Sequence, residues 1–97
     1  MEFKAEIDEA VHHYEKAIRV PATRTRQMIE THGYVDAVGR LMLTADVQKG
    51  FKVLMGSGQM DRTFEAVVKR FPELFNKVAV ESADFRIKNW RALKDER

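Results

Sequence analysis

"KVAVESADFRIKNW" (Lys77–Trp90) fits two different periods. Val78 and Val80 alternate as in a strand, whereas Val80, Ala83, Ile87 and Trp90 recur at helical steps of three, four and three. The two readings compete only over residues 77–81. A strand there would have no sheet to join, so the stretch is read as a helix and the whole chain as all-α.

Upstream, the helical period recurs almost everywhere. Phe3, Ile7, Val11, Tyr14 and Ile18 form an apolar stripe widened by Ala10 and Ala17, which predicts a long amphipathic helix ending before Pro21. A second helix begins at Pro21 or Ala22, turns Met28 and Ile29 inward, and ends at His32 with Gly33 as a left-handed cap. "YVDAVGRLML" follows with Val35, Val38, Leu41 and Met42 as its apolar face. Thr44 is then placed to cap "ADVQKGFKVLM", whose inner residues are Val47, Phe51 and Leu54. "GSGQ" (Gly56–Gln59) breaks the chain. Asp61 is placed to cap "RTFEAVVKRF", in which Phe64, Val67, Val68 and Phe71 share a face, and Pro72 opens the short turn "PELF". The expected architecture is a single-domain bundle of five to six short helices over residues 1–97, with an acidic leading helix (1–20) and a helical core module (21–97).

Composition supports a globular domain: 97 residues, 44% hydrophobic and 33% charged, with five glycines and two prolines. The absence of cysteine excludes disulfides, thiolate metal sites and cysteine nucleophiles, and fits a cytoplasmic protein. No apolar run approaches the ~18 residues of a membrane span, and the acidic N-terminus lacks the basic and apolar regions of a signal peptide. Net charge is +2, unevenly spread: residues 1–16 hold five acids against two lysines, net −3, which leaves +5 on residues 17–97. That asymmetry suits an anionic partner, protein or nucleic acid, although it falls short of a dense nucleic-acid-binding patch.

Motifs for chemistry are sparse. Glu9 with His13, and Asp8 with His12, each place a carboxylate and an imidazole four apart on one helix face. Even with His32 added, this is fewer ligands than a zinc site needs, so no metal is expected. "GSG" (Gly56–Gly58) lacks the preceding strand and the following Gly-Lys-Ser/Thr of a phosphate loop, so no nucleotide cofactor is expected. Neither Ser57 nor Ser82 sits in a nucleophile elbow, and no acid, base and oxyanion set converges, which argues against an enzyme.

The most unusual feature is "PATRTRQMIETHG" (Pro21–Gly33). It puts Arg24 and Arg26, among Thr23 and Thr25, in the first turn of a helix, where the dipole disfavours cations. Arginine becomes favourable there once an anion docks on the free N–H groups. Arg19, Thr23, Arg24, Thr25 and Arg26 are therefore candidates for an anion seat, with Arg40, Lys49 and Lys52 as further partner contacts. The competing account pairs Arg26 with Glu30 and sends Arg24 to a neighbouring helix such as the acidic first one. The stripe from residue 3 to residue 18 offers a different route to function, as the face of a homodimer.

The runs "TRTRQMIETHGYVDAVGRLM", "QKGFKVL" and "SGQMDRTFEAVV", with "LF" after them, span much of Pro21–Trp90. Over that range the chain resembles a small all-helical module of bacterial proteins of unassigned function, some near restriction-type nuclease or mobile-element genes. The resemblance implies a non-catalytic accessory or interaction module, DNA binding included, and carries no catalytic residues with it.

Overall fold

Helix α1 (Glu2–Ile18) turns most of its stripe into the core: Phe3, Ile7, Ala10, Val11 and Tyr14 are buried, and Ala17 and Ile18 are half-buried. A computed structural model describes residues 2–93; the domain expectation for residue 1 and residues 94–97 lies outside that range. After α1 come α2 (Thr23–His32), α3 (Tyr34–Leu41), α4 (Gln48–Gly56), α5 (Phe64–Arg70) and α6 (Lys77–Asn89). Short 3-10 turns occupy Met60–Arg62, Pro72–Leu74 and Trp90–Ala92, and no strand occurs among the described residues. Over the described residues the protein is thus an all-α bundle of six helices, with a radius of gyration of 12.0 Å, as expected of one domain of this length.

Helix α1 packs on α4 and α5, α5 packs on α6, and α2 packs on α3. The leading helix is therefore the centre of the core rather than an addition to it. Its Phe3 ring meets Phe71 and Phe75 edge-on, at 5.4 and 5.7 Å between centroids. At the other end, Tyr14 lies directly over Gly50 of α4, where any Cβ would overlap the ring. That close approach requires glycine at the crossing of α1 and α4.

Residues 77–89 are helical, and the reason lies just before them. Asn76 caps α6, its Oδ1 accepting from the Ala79 N–H at 2.8 Å. Ala79, Ala83 and Arg86 are buried, while the expected Val80, Ile87 and Trp90 flank them half-buried.

Three expectations about element ends and faces need correction. Thr44 does not start α4, because the carbonyls that a longer helix would use are taken by distant side chains. Arg86 donates to Thr44 O and Leu41 O, and Tyr14 donates to Asp46 O, so residues 42–47 stay an open turn. Asp61 does not cap α5; Thr63 does, accepting from the Ala66 N–H at 3.0 Å while donating to Met60 O. Val35 does not face the core and is 39% exposed. The buried arc of α3 runs from Ala37 to Met42, and at ~100° per residue Val35 lies about 90° from its centre. Gly33 does take a positive φ, +84°, but with ψ 165°, so the chain turns straight from α2 into α3.

Candidate interaction site

The arginines of α2 have an internal explanation. Glu15, near the end of α1, reaches the N-terminus of α2 and accepts from the Ala22 N–H at 2.7 Å. The same carboxylate receives Arg26 in a two-pronged pair, Nε and Nη2 each at 2.8 Å. The anion that the helix N-terminus favours is this chain's own carboxylate. The Arg26 hydrogen bonds, then the backbone N–H of Ala22, hold the Glu15 carboxyl down to about 2. Arg26 therefore pairs with the first helix rather than with Glu30, and Arg24 turns to Asp46 in the α3–α4 loop at 3.4 Å.

The remaining candidates divide by place. Arg40 pairs with Asp36 on α3 at 3.3 Å, and Lys52 donates to Leu93 O at 2.6 Å. Thr25 is buried and Thr23 is exposed. Lys49 lines a cleft of about 420 Å³ where the end of α1 meets the loop before α4, Arg24 reaches its Asp46 wall, and Arg19 stands in the chain between two of its lining residues, Ile18 and Val20. Its lining includes Tyr14, Ile18, Val20, Ala45, Asp46 and Lys49. Val20 is 55% exposed, an apolar side chain held in water in the same lining as Lys49. Arg24 bridges to Asp46 on the cleft wall with 78% of its own side chain exposed. Arg19 stands between Ile18 and Val20 and is the only non-glycine residue with positive φ among those described, at +67°. Its N–H bonds Glu15 O at 2.7 Å, closing α1 in the position usually held by glycine. Among the described residues its side chain has no hydrogen bond or ion pair.

A second cleft, about 560 Å³, lies between α1, the Met60–Arg62 turn and α5 and has a different character. Arg70 holds Glu6 at 2.7 Å, and Glu9, His13, Asp61 and Arg62 line the rest. The His13 imidazole is pushed down by burial first and then by Arg62. Three carboxylates face two arginines around this cleft, and no nucleophile stands beside a base. Among the described residues no three His, Cys, Asp or Glu side chains converge on a metal position. His32 lies 3.7 Å from Asp36 and far along the chain from His12 and His13, whose rings face each other at 6.1 Å.

Comparison with known proteins gives no relative. No protein family, curated protein or solved structure matches the chain. The geometry of the clefts therefore carries the functional argument by itself. Among the described residues no helix is long and apolar enough to cross a membrane.

One polar pair went unforeseen. Glu65 and Arg86 are both buried, with Oε2 and Nη1 3.0 Å apart, and Glu65 Oε1 has no hydrogen-bond partner among the described residues. Burial drives the Glu65 carboxyl up against the opposing pull of Arg86. Through Leu41 O and Thr44 O, Arg86 also ties α6 to the loop that carries Asp46. It thereby fixes the wall of the cationic cleft from behind. The sequence signal was a pair of opposite charges set among inward-facing residues: Glu65 between Phe64 and Ala66, Arg86 between Ala83 and Ile87.

Proposed function

We propose that the protein is a non-catalytic helical interaction module of the cytoplasm that engages an acidic protein partner at the cleft lined by Lys49, with Arg24 on its Asp46 wall and Arg19 beside it in the chain. The observation that carries this reading is an apolar floor beside exposed cations, Lys49 in the lining and Arg24 bridged to Asp46 with most of its side chain in water. Val20 and Ile18 offer an anchor point for one aliphatic or aromatic side chain. The surrounding cations favour carboxylates on either side of that anchor. A phosphate backbone would use the cations but leave the apolar floor uncovered, so a protein segment fits better than DNA. The N-terminus of α2, first considered as the anion seat, is filled by Glu15 and plays a supporting role by holding Arg24 at the cleft. The likeness to bacterial accessory modules points the same way on the sequence alone.

The reading is tested by fluorescence anisotropy with two labelled probes, an acidic peptide carrying one central leucine and a DNA duplex, at low and high salt. Binding of the peptide, weakened by Arg19→Glu with Lys49→Glu, is the expected result. Tighter binding of the duplex than of the peptide would replace the protein partner by nucleic acid, and a peptide signal indifferent to the double variant would remove the cleft from the account.

A further inference from the structure

Away from the cationic cleft, α3 turns an apolar edge to solvent. Val35 and Leu43, 39% and 57% exposed, stand eight residues apart on one side of the helix and its end. Gly39 lies midway between them. This edge borders a groove of about 240 Å³ whose far wall is Leu74, Phe75 and Ala79.

Gly39 has no internal reason to be glycine. Its φ is ordinary for a helix, and a Cβ there would meet only Phe75 Cδ1 at 3.8 Å, a normal contact. Glycine in a helix interior is less stable than alanine. What it offers is a close approach for something from outside, at the centre of the exposed apolar row.

The charges beside the row select the visitor. Asp36 and Arg40 lie next to Val35, Gly39 and Leu43 on the exposed side of α3, where they pair with each other at 3.3 Å. An antiparallel copy of the same helix, related by a two-fold axis at Gly39, sets Val35 against the other copy's Leu43 and brings Asp36 within reach of its Arg40. Each contact then occurs twice, as an isologous interface requires. A helix bearing one sign of charge would face repulsion from half of this pattern. We infer that a second copy of this chain packs antiparallel across α3 at Gly39, giving a weak dimer with two cationic clefts. On the α1 stripe Phe3, Ile7, Ala10, Val11 and Tyr14 are buried in the chain's own core, which leaves little of residues 3–18 for a dimer face.

Sedimentation velocity across a broad concentration series tests the inference. Wild-type protein is expected to pass from monomer to dimer as concentration rises. Gly39→Leu and Leu43→Glu should each weaken association by about tenfold or more. Gly39→Ala should raise the thermal midpoint of the monomer while weakening association, an opposition that a purely internal role for Gly39 does not produce. Asp36→Arg should repel the second copy, and Asp36→Arg with Arg40→Asp should restore the dimer. A monomer at every concentration, or a dimer unaffected by both Gly39→Leu and Leu43→Glu, would overturn the inference.

Discussion

Replacing Arg19 by glycine should make this protein more stable and less able to bind. Arg19 holds φ +67° at the end of α1, in the left-handed region. That conformation costs an L-residue about 1–2 kcal/mol. Glycine relieves the strain but gains freedom in the unfolded chain, which returns about 0.5–1 kcal/mol. The Arg19 side chain has no hydrogen bond or ion pair among the described residues, so none is lost. The net gain is therefore about 0.5–1 kcal/mol. For a domain of this size that raises the melting temperature by about 3–6 °C. Urea unfolding should show a higher midpoint at unchanged slope. Arg19→Ala is the control: it removes the cation and keeps the strain, so stability should stay near wild type. Both variants should weaken binding of the acidic peptide, whereas Arg19→Lys should keep it. A glycine variant less stable than wild type would refute the reasoning, because the left-handed arginine would then be held by interactions worth more than its strain.

Other consequences concern the interior. Gly50→Ala should destabilise the fold by about 1–3 kcal/mol, since its methyl group overlaps the Tyr14 ring at the α1–α4 crossing; the urea midpoint measures it. Glu15→Gln should cost about 1–2 kcal/mol at neutral pH. Because the folded carboxyl of Glu15 is held at about 2, its contribution is present above the ordinary carboxylate range and is lost as pH falls toward 2, so the gap between wild type and variant should close in acid. Arg86→Met alone should cost about 3–5 kcal/mol by stranding Glu65, while Glu65→Leu with Arg86→Met should recover most of it, as a double-mutant cycle will report. Burial raises the Glu65 carboxyl, so this group works in the opposite direction to Glu15: it disfavours the folded state more as pH rises out of the acid range.

Period and breaks made most of the helices legible in the sequence. The stripe of α1 and the faces of α4 and α5 follow directly from spacing, because a helix in a single small core has only one side to bury. The ambiguity at residues 77–81 was also soluble locally: Asn76 stands in N-cap position before Lys77, a signal that favours a helix start over a strand. The start of α4 was not legible. It is set by Arg86 and Tyr14, which reach it from 42 and 32 residues away and take its carbonyls. Val35 was misplaced because a helix of eight residues shows too little of its period to fix the centre of its face.

The candidate site was readable in part. The oddity of cations at a helix N-terminus was real, but its answer lay in Glu15, eleven residues before Arg26, and depended on how α1 folds back on α2. Of the eight residues singled out, Lys49 lines the cleft, Arg24 reaches its Asp46 wall and Arg19 sits between its lining residues Ile18 and Val20, and no spacing rule relates them. Charge identified them as exposed, and only the packing of α1 against the α3–α4 loop brings them together.

The most direct measurement of the central claim is a selection from a random peptide display library on immobilised wild-type protein and on the Arg19→Glu, Arg24→Glu, Lys49→Glu variant, read by sequencing. The account predicts that wild type enriches peptides with Asp or Glu on both sides of one aliphatic or aromatic residue, and that the variant loses them. Enrichment of peptides without acidic residues, or of the same acidic peptides on both proteins, would contradict it.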